Sequence, residues 1–151
     1  MKFKTLSTLL TVFILMLSLS VSAQKNDVKS LDPEVVTDLN LTPQMALGLQ
    51  KERHIKGAFK FFDQLLQSDS NFENFEIVIW GEAVEHLKKG TELSRLIEEN
   101  QHPKLRVSVC QSAMKRLGIT EADLPEGTIS VPNAFARLLH IQAKGYNVIV
   151  P

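Results

Sequence analysis

From His54 to the C-terminus, apolar residues switch repeatedly between helix spacing and strand spacing, and that alternation leaves few folds open. Ile55, Ala58, Phe59, Phe62, Leu65 and Leu66 recur at i, i+3, i+4 and i+7, the pattern of one amphipathic helix face. Ser68 to Asn71 ends that helix as a loop, and Phe75 to Trp80 follows as a β-rich run closed by Gly81. Glu82 to Lys88 suits a short helix ended by Gly90. Thr91 suits the cap of the next, with Leu93, Leu96 and Ile97 on one face and Pro103 beyond its end. Leu105, Val107 and Val109 alternate with Arg106 and Ser108, which is strand spacing, and Cys110 follows directly. Ser112 to Leu117 suits a helix stopped by Gly118, and Thr120 with Asp123 has the pattern of a capping box. Thr128 to Val131 reads as a short strand. Pro132, at a first helical position, opens a helix with Ala134, Phe135, Leu138, Leu139 and Ile141 apolar, Gly145 stops it, and Tyr146 to Val150 is the last strand. This βαβα order predicts an α/β fold with a mostly parallel sheet and helices on both faces.

Ahead of that region the pattern is weaker. Residues 24–50 mix polar residues with Val35, Val36, Leu39, Leu41, Met45, Leu47 and Leu49, punctuated by Pro33 and Pro43. Glu34 to Leu39 reads as an edge strand, and Thr42 as the cap of a helix starting at Pro43. Residues 1–23 have the parts of an export signal: Lys2 and Lys4, an apolar core from Leu9 to Leu19, and the small-residue site Val21-Ser22-Ala23. Cleavage is expected before Gln24. The core is short for a membrane span, which needs about 20 apolar residues. An uncleaved anchor is the alternative reading. The mature chain is then 128 of the 151 residues, with 15 basic against 17 acidic side chains, a net charge of −2. That export signal predicts a periplasmic or secreted protein with no membrane span after its removal. The near-neutral balance gives no electrostatic reason to propose a nucleic-acid partner.

The single cysteine excludes an intrachain disulfide and any multi-cysteine metal site. Cys110 itself stands at the carboxyl end of a predicted strand and just before a helix. Sites in open α/β sheets gather outside the carboxyl ends of strands. A helix N-terminus carries partial positive charge, which favours thiolate, the nucleophilic form. Ser112 stands two residues on, within reach as a donor to the sulfur. The competing reading is a small buried hydrophobe, since free cysteine is among the most buried residue types. An unpaired thiol in an exported protein is also notable, because oxidising compartments consume exposed thiols.

Trp80 and Gly81 end a strand at the same sheet edge and are candidates to line a pocket there. The other reading of Trp80 is plain core. The histidines at 54, 86, 102 and 140 form no recognised metal spacing. Glu82, Glu85 and His86 share one short stretch, as exposed Glu/His pairs commonly do, and no metal site is expected. The common hydrolase, P-loop and dinucleotide signatures are absent.

Three segments in order resemble the DsrE/DsrF-like family, whose fold is also called YchN-like. They are the strand-plus-glycine FEIVIWGEAVEHL (Phe75 to Leu87), VSVCQSAMKRLGI (Val107 to Ile119), and ISVPNAFARLLHIQAKGYNVIVP (Ile129 to Pro151). The second is similar to the family's strand, cysteine, small polar residue and methionine followed by a helix. The third is similar to its Val-Pro, helix, Gln-x-x-Gly-aromatic and terminal strand. The resemblance covers residues 54–151, with a DsrE-like domain expected over 51–151. It implies a three-layer α/β/α, flavodoxin-like domain, assembled as a trimer or hexamer; no cofactor is expected. It further implies that Cys110 accepts sulfur as a persulfide and passes it on between a sulfur donor and an acceptor protein. Trp80, Gly81, Ser112 and Met114 are the expected surroundings of that thiol.

Two function classes therefore stand. One is sulfur transfer or thiol-redox chemistry through Cys110. The other is a non-catalytic oligomeric binding module of the cell envelope, with Cys110 packed and unreactive.

Overall fold

The computed structural model describes residues 30–151; the expected export signal lies outside the described residues. Five strands form one parallel sheet: β1 (Gln44–Leu49), β2 (Asn74–Ile79), β3 (Leu105–Cys110), β4 (Thr128–Val131) and β5 (Asn147–Ile149). Their spatial order is β4-β3-β2-β1-β5. Helix α1 (Pro33–Leu39) precedes β1, α2 (Glu52–Gln67) joins β1 to β2, and α3 (Glu92–Glu99) lies between β2 and β3. Helix α4 (Gln111–Leu117) follows β3, and α5 (Ala134–Gln142) joins β4 to β5. The expected short helix after β2 is a 3-10 segment, Gly81–Leu87, and a second 3-10 turn spans Glu121–Asp123.

That strand order decides where the helices go. The chain steps from β1 through β4 in one direction and then crosses back past β1 to β5. With right-handed crossovers, connections in one direction lie on one face and the return connection lies on the other. Side-chain parity agrees. Phe75, beside Ile77 and Ile79 on the odd-numbered face, stacks on Phe61 and Phe62 of α2, with centroids 5.9 and 5.5 Å apart. On the even-numbered face Gly48 abuts Leu138 of α5. The fold is thus α/β/α, with three helices and a 3-10 segment on one side and α5 on the other.

The amphipathic helix α2 forms as its spacing predicts, burying Ile55, Ala58, Phe59, Phe62 and Leu65. Thr91 caps α3, its hydroxyl accepting from the Ser94 N–H. The Asp123 carboxylate accepts from both the backbone N–H and the hydroxyl of Thr120, at 2.8 and 2.7 Å. These bonds hold the Asp123 carboxyl below its ordinary range.

Three expectations at element starts are corrected. Glu34 to Leu39 is helical rather than an edge strand: Asp32 caps it by accepting from the Glu34 N–H, and Pro33 takes the first helical position. The segment after Pro43 is β1 rather than a helix. It pairs along its full length with β2 and also with β5, so ladder bonds and burial on both faces override its helix-forming Met-Ala-Leu composition. Residues ahead of 51 thus contribute a strand to the sheet. Helix α5 starts two residues later than expected, at Ala134, because Asn133 is its cap, accepting from the Ala136 N–H, and Pro132 lies outside.

Candidate functional site

The carboxyl ends of β2 and β3 and the start of α5 enclose a cleft of about 310 Å³ lined by Trp80, Gly81, Cys110, Ser112, Ala113, Arg116, Asn133, Ala134 and Phe135. Its size is at the lower end of the range for small-molecule sites. Cys110 ends β3, pairs in register with Val131, and occupies the cap position of α4. It is 5% exposed, so the thiol is approached through the cleft rather than across open surface. Cys110 and Trp80 both lie on the even-numbered face, the one that α5 covers. That is why residues 30 apart in sequence meet at one edge.

One wall of the cleft is aromatic. Trp80 and Phe135 have ring centroids 5.7 Å apart, inclined at 57°. Trp80 is buried, whereas Phe135 is 62% exposed. Gly81 turns the chain at the end of this wall with φ of 68°, a conformation favouring glycine, and the 3-10 segment starts there. Arg116 of α4, also in the lining, supplies positive charge.

Two expected neighbours behave differently from expectation. The Ser112 hydroxyl donates to the Pro132 carbonyl at 3.0 Å, so it ties α4 to the chain leaving β4 instead of donating to sulfur. Met114 is 4% exposed and belongs to the core cluster rather than to the cleft lining. Arg116, Asn133 and Phe135 line the cleft without any local sequence signal that marks them. The signal for the latter two lay in α5 returning across the sheet, which requires knowing strand order.

Beneath α5 lies a buried polar cluster. Glu76, in the central strand β2, is 1% exposed. Its carboxylate accepts from Arg137 Nε at 2.8 Å and Arg137 Nη2 at 2.6 Å, and from the Ser108 hydroxyl at 2.6 Å. Arg106 Nε donates to Ser108 Oγ at 3.3 Å and lies 3.6 Å from Glu76 Oε1. The hydrogen bonds that Arg137 donates to Glu76 raise its pKa further, so its charge is secure. Burial, reinforced by the Glu76 carboxylate, likewise raises the Tyr146 hydroxyl. Elsewhere, His86 Nδ1 lies 3.7 Å from Glu52, and among the described residues no three His, Cys, Asp or Glu side chains are grouped to hold a metal. No described helix is long and apolar enough to cross a membrane.

Comparison with known proteins agrees with this architecture. The sequence profile of the DsrE/DsrF-like family matches residues 38–151. The solved structure of MTH1491, a protein of unknown function from Methanobacterium thermoautotrophicum, superposes with a TM-score of 0.62 at 19% identity. That match covers 72% of this chain and 98% of the other. At that identity the likeness shows the fold. Among curated proteins none matches significantly.

Proposed function

Since the chain belongs to the DsrE/DsrF-like family, we propose that it is an exported thiol protein in which Cys110 carries sulfane sulfur. The observation that supports this reading is the placement of the one thiol in the chain inside a small cleft with an aromatic wall and an arginine in its lining. In the loading step, the Cys110 thiolate attacks the outer sulfur of a persulfide donor, R–S–SH. A new S–S bond forms to Cys110, the donor's S–S bond breaks, and R–S⁻ departs. In unloading, an acceptor thiolate attacks the outer sulfur of the Cys110 persulfide, and Cys110 leaves as thiolate. Neither step needs an external oxidant, because the sulfane sulfur changes hands at constant oxidation level.

The competing reading, an oligomeric binding module with a packed thiol, draws on the 5% exposure of Cys110. Alkylation of the folded mature protein with iodoacetamide separates the two. The carrier reading expects modification of Cys110 under native conditions. A thiol that reacts only when the protein unfolds overturns it.

Assembly as a homo-oligomer, trimer or hexamer, is part of the proposal. Phe135 and Leu139 stand one turn apart on α5, 62% and 68% exposed, and Ile129 is exposed on β4 on the same sheet face. Sedimentation of the mature chain is expected to give a multiple of the monomer mass, and a lone monomer contradicts it. Export is tested by the N-terminus of the purified protein, expected at Gln24.

A further inference from the structure

The cleft wall formed by α5 depends on two contacts made below it. The nine-residue helix carries Asn133 at its cap, then Ala134 and Phe135, all lining the cleft. Arg137 and Leu138 lie further along the same helix, and both touch the sheet. Arg137 meets the buried Glu76 carboxylate through two hydrogen bonds. Leu138 sits over Gly48, where a Cβ would lie 2.9 Å from Leu138 Cδ1 and 2.9 Å from the Trp80 ring. The bare backbone of Gly48 thus lets both the helix and Trp80 sit close to β1.

The Arg137–Glu76 contact differs in kind from the rest of the core. Apolar packing is non-directional and lets a helix slide by small amounts. A bidentate arginine–carboxylate pair fixes direction as well as distance. Glu76 Oε1 also accepts from Ser108, which limits rotation of the carboxylate. Buried ion pairs return little net stability for the charge they desolvate, so fixing geometry is the better account of one here.

We propose that the Glu76–Arg137 pair and the notch at Gly48 are a positioning device for the Cys110 cleft. They fix the height and register of α5 and thereby set how far Phe135 and Trp80 close over the thiol. The functional part rests on the reading of Cys110 as a usable thiol. Glu76, Arg137 and Gly48 are positioning residues that act through the aromatic wall.

The test uses Arg137→Lys, which keeps the charge and loses the fork, and Gly48→Ala, which moves the same wall without altering charge. In each variant, alkylation of Cys110 by a bulky maleimide is expected to change by about threefold or more relative to iodoacetamide. The emission of Trp80, the sole tryptophan, is expected to shift. Rates are read across low urea concentrations. Reaction past a displaced wall is flat in urea, whereas reaction through global unfolding climbs steeply. Wild-type selectivity and emission in both variants, or a change that appears only with the steep urea dependence, overturns the positioning role. If one variant fails to fold, the other decides. Wild-type Cys110 inert to iodoacetamide overturns the functional reading instead, and the emission of Trp80 then decides the positioning on its own.

Discussion

On one face of the sheet, Phe59 and Phe62 of α2 interlock with Phe72, Phe75, Ile77 and Ile79, all nearly inaccessible to solvent. On the other, a single nine-residue helix lies over Gly48, a buried glutamate and Arg106, with its own Arg137 on that glutamate, leaving Ile129, Phe135 and Leu139 exposed. Both faces belong to the same five strands. The first is built for apolar burial, where packing is dense and any gap is costly. The second gives up apolar area for directional polar contacts and for a cleft that reaches a thiol. Most of the apolar burial thus lies on the α2 face, and the proposed chemistry lies on the α5 face.

The largest expected effect probes the first half of that assignment. Phe62→Ala removes a ring stacked on Phe72, Phe75 and His102, and should cost about 4 kcal/mol in urea unfolding. The iodoacetamide reactivity of Cys110 in the protein that remains folded should stay at the wild-type value. A cost below about 0.5 kcal/mol, the range of ordinary surface substitutions, breaks the comparison.

A somewhat smaller effect is expected on the α5 face. Glu76→Ala leaves Arg137 without its partner and should cost about 3 kcal/mol, whereas Glu76→Leu combined with Arg137→Met should recover most of that loss. A double variant as unstable as the single one would mean that the ion pair itself is a main source of stability, and the two faces would no longer differ in kind.

The smallest effect sharpens the comparison by lying on neither face. Asp123 is fully exposed, and its carboxyl is held low by the hydroxyl and N–H of Thr120. A depressed carboxyl stabilises the fold above its unfolded value, here 3.8, and that contribution is lost as pH falls through the lower folded value. Wild type should therefore melt slightly above Asp123→Asn at neutral pH, with the gap closing in acid below about pH 4. A gap that persists in acid assigns the effect to something other than the carboxylate.

Much of the α2 face was legible because its signals are local. The i, i+4, i+7 spacing of Ile55, Phe59 and Phe62 and the cap at Thr91 each sit within a few residues of what they determine. The α5 face was legible only in part. Cys110 at a strand end and Trp80 beside Gly81 could be read from order alone. Glu76 and Arg137 are 61 residues apart, and only the return of α5 across the sheet brings them together. Strand β1 failed for a related reason. Met45 to Leu49 carries no alternation because it is covered on both faces, and the proline ahead of it imitates a helix start. Gly48 has no meaning until Leu138 and Trp80 are placed over it.

The central claim is that the α5 face presents a thiol able to receive and release sulfur. Its most direct test is the intact mass of the folded mature protein after exposure to a small organic persulfide, and again after a thiol acceptor is added. The account predicts the gain of one sulfur atom on Cys110, its loss to the acceptor, and neither in Cys110→Ser. A wild-type mass that stays unchanged while the protein remains folded contradicts it.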